Sequence, residues 1–299
     1  MEESKKRTIR VMQWNTLADG LAQHGDFLRV SGQHLEWKAR GPRILKTVTE
    51  ANADVVCLQE VNRYEDWFLP HMQEMGYDGR FCAKPASPCE RYGYPVDGCA
   101  LFYRTEYFEQ LSPMRCICYA QLVKGSSQRQ VLQVAHLKDK RVEKELFVVS
   151  THLKAKANPE SESLRREQVR EMLKLLSKSI ENRRKILEAG GAVSAEPAVI
   201  VCGDFNDVPQ SSVVRAMLSH PLGFQSAYPL DKGFTTWKFR TEGQKKATID
   251  YIWYAEGREI GLESTDGLAS AERIGENGLP NEEYPSDHLA LVADFEWLH

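Results

Sequence analysis

The sequence predicts an α/β fold in which two sheets pack face to face with helices outside them. Apolar runs of strand length alternate with amphipathic runs of helix length along the chain. Their order is strand–helix–strand–helix–strands, then helix–strand–helix–strands, so two similar halves each supply a sheet and a helical layer. Several strand-like runs also end on residues that bind divalent metal or move protons, which gathers function at one edge of the sheets.

The elements follow in order. Residues 9–14 read as a strand. Pro42 suits a first helical turn, so a helix is expected from there, with Ile44, Leu45 and Val48 inward. Residues 54–58 are almost continuously apolar, as in a strand covered on both faces. Residues 65–76 read as a helix that Gly76 ends, and 100–103 as a short strand. Residues 130–137 and 146–150 read as antiparallel strands around a charged turn at 138–145. Asn158 and Pro159 then form a cap and first turn for a long amphipathic helix. Val169, Met172, Leu173, Leu176 and Ile180 recur there at helical spacing. That helix is expected to end by Gly190 and Gly191, with a buried strand at 198–202. Residues 248–254 and 289–295 are strand-like, and the Gly- and Glu-rich stretch 255–283 reads as a long surface loop. No exact repeat, low-complexity tract or clear linker interrupts the chain, so residues 1–299 are read as one domain.

The chain has 299 residues, 42% hydrophobic and 27% charged, enough for a substantial core. Its net charge of −3 argues against a broad nucleic-acid-coating surface but leaves room for a local basic pocket. No apolar run approaches the ~18 residues needed to cross a bilayer, so no membrane partner is expected. No apolar stretch of the signal-peptide kind follows the basic residues near the N-terminus. The seven cysteines are an odd number, and Cys57, Cys99 and Cys202 sit inside apolar runs. They read as small buried hydrophobes of a reducing compartment. Cys116 and Cys118 lack partners at zinc spacing. The expected location is the cytoplasm, or the mitochondrion where an upstream presequence has been trimmed, and the expected state is a monomer.

The strand ends carry the chemistry. Asn15 closes the first strand. Glu60 lies at the end of the second, where a lone carboxylate suits Mg²⁺, an ion that keeps several waters. Asp204-Phe205-Asn206 follows an apolar run, and strand alternation is expected to place Asp204 and Asn206 on one side and Phe205 on the other. A carboxylate and an amide so placed hold an attacking water and a phosphate oxygen together. Asp287 and His288 set a carboxylate beside an imidazole, and Asp250 is expected to orient His288 and keep it cationic. His152 is a second imidazole for charge developing on a phosphoryl group. No Ser or Cys lies in a nucleophile-elbow or Cys–His pattern, which favours attack by water over a covalent intermediate.

Together the segments Met12–Asn15, Leu58–Val61, Ser150–Lys154, Gly203–Asn206, Asp250–Trp253 and Ser286–Leu289 resemble the endonuclease/exonuclease/phosphatase superfamily. They span almost the whole chain in the expected order. The resemblance implies a four-layer αββα sandwich of two packed, mainly antiparallel sheets flanked by helices, and Mg²⁺-dependent phosphoester hydrolysis, with Mn²⁺ as a substitute ion. It makes Glu60 the main metal ligand, with Asn15, Asp204, Asn206 and Asp287 around metal, water and phosphate. It assigns phosphate stabilisation to His152 and His288, and the orientation of His288 to Asp250.

Further segments, among them 83–89, 95–102, 234–240 and 279–288, resemble a branch related to the carbon-catabolite-repression-type deadenylases. The activity that branch implies is removal of the 2′-phosphate from NADP⁺ and NADPH. Lys84, Lys154, Lys156 and Arg240 would then form a cationic rim for a dinucleotide carrying a 2′-phosphate and a pyrophosphate. The branch usually has Arg at the position of Lys156, and Lys keeps the charge but loses the planar fork. Trp237 reads as core. The rival reading is a poly(A)-specific 3′-exoribonuclease, with RNA as partner. A third is a non-catalytic binding protein on the same fold, which the full set of catalytic residue types argues against.

Overall fold

Alternation along the strands decides the layering. In the first strand Ile9 and Val11 face one apolar cluster while Met12 and Trp14 face another, and all four are buried. A strand buried on both faces needs a cover on each. The computed structural model describes residues 7–123, 128–190, 196–256 and 259–298.

In chain order the strands are β1 (Thr8–Asn15), β2 (Val55–Val61), β3 (Tyr77–Ala83), β4 (Gly98–Arg104), β5 (Phe108–Cys118), β6 (Val131–Asp139) and β7 (Lys144–His152). They continue with β8 (Ala198–Asp204), β9 (Phe224–Ser226), β10 (Thr236–Arg240), β11 (Gly243–Ala247), β12 (Asp250–Ala255), β13 (Ile260–Thr265) and β14 (Leu291–Trp297). One sheet has the order β13-β14-β1-β2-β4-β3 and the other β5-β6-β7-β8-β12-β9, while β10 and β11 form a separate hairpin. Within the sheets only β1–β2 and β7–β8 are parallel; their other neighbours are antiparallel.

The inward positions of both sheets meet in one cluster that includes Val11, Val55, Cys57, Val148, Ile200, Cys202 and Ile252. Helix Trp37–Ala51 and the helical segment from Tyr64 to Glu74 cover the outer face of the first sheet through Ile44, Val48, Phe68 and Met72. Helices Pro159–Ala189 and Ser212–Leu218 cover the second sheet. This is the four-layer sandwich, mainly antiparallel in both sheets. In the long helix the Asn158 side chain accepts from the Ser161 N–H at 2.8 Å, and Pro159 opens the first turn. Val169, Met172, Leu173, Leu176 and Ile180 are all buried, each contributing roughly 1.5–3 kcal/mol of burial.

Three expectations are corrected. The helix read from Pro42 begins at Trp37 and carries Pro42 inside it. Glu36 O accepts from the Ala39 and Arg40 N–H groups, each at 3.0 Å, and so opens the helix before Pro42; Arg40 is fully buried there and donates from Nε to Pro285 O at 2.7 Å and from Nη2 to Thr16 O at 2.6 Å. The stretch read as a loop at 255–283 contains β13 and the short helix Ala271–Ile274. Strands β3 and β5 went unread because they are sheet edges, where few positions are apolar on both faces. Gly191, expected at the end of the long helix, lies outside the described residues.

Gly203 sits where β7 and β8 run parallel, and a Cβ there would fall 2.4 Å from Thr151 O. That contact is backbone and has no flexible end to yield. Gly203→Ala is therefore expected to destabilise the fold by about 1–3 kcal/mol. Urea unfolding checks this; an unchanged midpoint would mean the strands separate without cost.

Candidate active site

The alternation that builds the inter-sheet core also ends it. Beyond Ile9, Val11 and Gln13 the next inward residue of β1 is Asn15. In the second sheet the register sets His152 of β7 and Asp250 of β12 on either side of Asp204 of β8. All four are buried. The sheets meet through Asn15, whose Nδ2 donates to Asp204 Oδ2 at 3.0 Å and to Glu60 Oε1 at 3.1 Å. Just behind, Gln13, Gln59 and Ser150 form a buried polar link between the sheets, with Gln13 Nε2 to Gln59 Oε1 at 2.6 Å.

Two site residues reach the cluster only by leaving strand geometry. Alternation would turn Glu60 with Leu58 toward the helices. The pairing of β2 with β4 slips between Leu58 and Val61, however, and Glu60 takes φ +55°. The irregularity re-aims its carboxylate inward, where Ala18 N–H donates to Oε2 at 3.2 Å. Asn206, expected to share a strand face with Asp204, lies beyond the end of β8 at φ +52°. An Asx-type turn places it: its N–H donates to Asp204 Oδ1 at 2.8 Å, and its Nδ2 to Leu153 O at 3.1 Å. Phe205 points away into the apolar layer under the long helix, as expected.

His288 arrives on the loop before β14. Ser286 Oγ donates to Asn15 O at 2.6 Å, and Trp14 Nε1 donates to His288 O at 2.9 Å, which fixes the loop to the end of β1. His288 Nδ1 lies 2.8 Å from Asp250 Oδ2. Thr235 Oγ1 donates to the same oxygen at 2.6 Å. The opposite ring nitrogen, Nε2, faces Asp204 Oδ2 at 3.9 Å, and His152 Nε2 faces it at 3.6 Å.

The cations are arranged differently from the expected rim. Lys84 Nζ donates to Asp97 Oδ2 at 2.6 Å. Arg240 donates to Gly25 O and, at 3.3 Å, to Asp287 Oδ2, with its guanidinium 3.7 Å over the Phe27 ring. Lys154 is half-buried and Lys156 exposed, and neither side chain has a partner among the described residues. Sequence reasoning missed Lys238, which pairs with Asp287 Oδ2 and lies 3.5 Å from His288 Nε2. The signal was present: strand alternation from Arg240 puts Lys238 on the same face. Trp237 belongs to a small apolar cluster with Phe234, Leu279 and Leu289, as read.

Burial and charge set the protonation states. Burial alone would lower His288, yet the carboxylates of Asp250, Asp287 and Asp204 raise it to about 8, against the pull of Lys238. Burial would raise Asp204, but the charges of His288, His152 and Lys245 and the Asn15 amide hold it below the usual carboxylate range. Burial, with the nearby Lys84 charge, holds His152 below the ordinary imidazole value. The centre thus offers a carboxylate, a cationic imidazole and a neutral imidazole.

A divalent metal fits this donor set. The Glu60 carboxylate accepts only from the neutral donors Asn15 and Ala18, and no cationic side chain among the described residues pairs with it. Asp287 keeps Oδ1 clear of Lys238 and Arg240, which both take Oδ2. Asp204, Asp250 and His288 also bring ligand atoms within 4.8 Å of one another. Asp250 Oδ2 is already shared by His288 and Thr235, so that group reads as an oriented imidazole beside Asp204 rather than a metal cage. Hard oxygens with few carboxylates are the donors Mg²⁺ and Mn²⁺ take.

The model of the Endonuclease/Exonuclease/phosphatase family matches residues 12–138 and 157–288. The chain belongs to that family and is a hydrolase of the phosphohydrolase and nuclease type. Among its relatives are the nocturnins: nocturnin of Xenopus laevis is 36% identical over 97% of this chain and 73% of its own length. The structure of the human nocturnin catalytic domain with bound sulfate matches with a TM-score of 0.75 at 32% identity, covering 98% of this chain and 94% of that one. The CCR4-Not complex 3′-5′-exoribonuclease subunit Ccr4 of Kluyveromyces lactis is more distant, 27% identical over 97% of this chain and 41% of its own length.

The two neighbours of His288 pull its titration in opposite directions. In metal-free protein its imidazole is expected to titrate near 8. Asp250→Asn removes the charge that favours the cation and should move the midpoint down. Lys238→Met removes a charge that opposes it and should move the midpoint up. NMR of the ring protons reads both; a shift of the same sign in the two variants would break the assignment.

Proposed function

We propose that this chain is a Mg²⁺-dependent phosphohydrolase that removes the 2′-phosphate of NADP(H), giving NAD(H) and inorganic phosphate. The observation that carries the reading is the convergence of Asn15, Glu60, His152, Asp204, Asn206, Asp250 and His288 on one buried point, with Lys84, Lys238 and Arg240 around it. The choice of NADP(H) rests on the resemblance of segments outside that point to the nocturnin branch. Glu60, Asn15 and Oδ1 of Asp287 would hold Mg²⁺, with Mn²⁺ as a substitute. When bound, the ion neutralises charge on the phosphate oxygens.

The protein's own groups do the rest. Asp204, ionised in its cluster, accepts a hydrogen bond from the attacking water and holds it in line with the phosphorus. The Asn206 amide, fixed by its turn, orients a phosphate oxygen. His288 and His152 face the charge that grows on the phosphoryl group. Asp250 acts through His288, keeping Nδ1 engaged so that Nε2 faces the centre. Lys84, Lys154, Lys156 and Arg240 serve the remaining phosphates of the dinucleotide. In this reading the protein works as a cytoplasmic monomer.

A 3′-exoribonuclease acting on poly(A) uses the same centre, and the likeness to Ccr4 favours keeping it as the second reading. A chain that tracks RNA needs a basic or aromatic path beyond the pocket. The net charge of −3 and the lack of a Lys/Arg-rich run beside the catalytic segments speak for the dinucleotide.

Phosphate release from NADPH, NADP⁺ and 3′-phosphoadenosine compounds, alongside oligo(A) shortening, separates the readings. The expected result is rapid release from NADP(H) and intact oligo(A); shortened oligo(A) with inert NADP(H) would sink the substrate assignment. Chelation should abolish turnover and added Mg²⁺ restore it. Glu60→Ala and His288→Ala should each lower kcat by at least ~10²-fold, with thermal stability retained. Near-normal turnover in either variant would refute the role given to that residue.

A further inference from the structure

Four of the seven cysteines gather at one end of the sandwich, where the edge strands β3 and β5 of opposite sheets lie against each other. Arg80 Nη1 of β3 donates to Met114 O of β5 at 2.8 Å, and the Cys116 thiol donates to Phe81 O at 3.5 Å. Cys82 and Cys99 are register partners on β3 and β4 and pack with Val131, Cys116 and Cys118. Within this group the Cys82 thiol donates to Leu132 O at 3.8 Å, and the carbonyl that Cys116 engages belongs to Phe81, the residue before Cys82. Cys118 is engaged separately with Gln128 O at 3.2 Å. The thiols do not form a metal site: among the described residues the only convergent set of three or more metal-binding side chains is Asp204, Asp250 and His288.

We propose that Cys82 and Cys116 form a reversible redox pair, closed to a disulfide by peroxide and opened by dithiols, that acts on the neighbouring Lys84. The two thiols differ in the way such a pair requires. Cys116 is half-buried, and its interaction with Cys82 and the Arg80 charge bring it down to about 7 despite its burial. Cys82 is 5% exposed, and its interaction with Cys116, together with burial, pushes its thiol up. Cys116 is therefore the sulfur that meets the oxidant. Its thiolate attacks hydrogen peroxide, giving a sulfenic acid as one oxygen leaves as water. The Cys82 sulfur then attacks that sulfur and displaces a second water, so two thiols and one peroxide become one disulfide and two waters.

The bond would tie β3 of one sheet to β5 of the other. Two residues beyond Cys82, at the end of β3, stands Lys84, whose N–H donates to Asp97 O at 2.9 Å and whose Nζ donates to the Asp97 carboxylate at 2.6 Å. Drawing β3 toward β5 moves that lysine relative to Glu60 and His152, whose charges it feels. The effect of the bridge on turnover rests on the proposed function; the bridge itself does not.

The test is graded hydrogen peroxide on the full chain, followed by non-reducing peptide mass mapping and by NADPH phosphate-release kinetics. The expected product is a peptide linked through Cys82 and Cys116 that dithiothreitol cleaves. KM should rise severalfold on oxidation and recover on reduction. Cys116→Ser and Cys82→Ser should each abolish both effects, whereas Cys118→Ser should keep them; circular dichroism checks that the variants fold. Sulfinic acid at Cys116 with no link to Cys82 would overturn the pair. A link that leaves KM unchanged would overturn its action on Lys84. If no substrate releases phosphate, the functional reading fails while the mass map still decides the bridge.

Discussion

Asn15 and Asp204 meet across the two sheets at 3.0 Å, and the centre is arranged about that contact. A carboxylate at 1% exposure is costly unless its oxygens are satisfied. Asp204 meets this with the Asn15 amide, the Asn206 N–H and two imidazoles. The contact crosses from one sheet to the other, so the packing of the sheets sets the geometry of the site. The buried link of Gln13, Gln59 and Ser150 lies on the same seam. Sliding one sheet by a residue would break these bonds together, leaving several buried polar groups unpaired.

Precision at the site is obtained against local backbone preference. Leu17, Glu60 and Asn206 all adopt left-handed φ, a conformation that costs on the order of 1 kcal/mol or more for a side-chain-bearing residue. Each is held from outside. Leu17 N–H donates to Asn15 Oδ1, Thr16 N–H to Gln59 O, and Arg40 grips the carbonyls of Thr16, Leu17 and Pro285. Arg40 is itself fully buried with burial lowering its basicity to about 10, and the surrounding carboxylates of Asp19, Asp287 and Glu60 keep it cationic. The floor of the site is a buried charge that supports the loops.

What could be read from the sequence follows from the period of two. Central strands such as β2 and β8 are apolar on both faces, and their ends announced Glu60 and Asp204. The long helix was legible from its cap and stripe. The edge strands β3 and β5 have one solvated face and weak periodicity, so they were not. Glu60 was placed at the right strand end, but its aim depends on a slip in pairing that no periodicity shows. Asn206 was read as a strand neighbour of Asp204 and is one through a turn. Arg40 looks like any polar position on an amphipathic helix, because its partners are carbonyls far along the chain. Lys238 is the miss that the pattern could have corrected, since Arg240 was taken from the resemblance and alternation along β10 sets Lys238 on the same face.

The first strand lies in the interior of its sheet, between β2 and the last strand, β14. Its antiparallel partners run from Thr8 with Glu296 to Gln13 with Leu291. During synthesis β1 emerges before every other strand of the two sheets, and its second neighbour, β14, only after all of them. The loop carrying Ser286, Asp287 and His288 immediately precedes that neighbour. A nascent chain can collapse its second sheet and long helix before that, yet it holds an exposed apolar strand edge until β14 is made, and lacks His288 until just before. Closing the sheet and completing the hydrolytic centre are thus one event, and a chain cut before that loop carries neither.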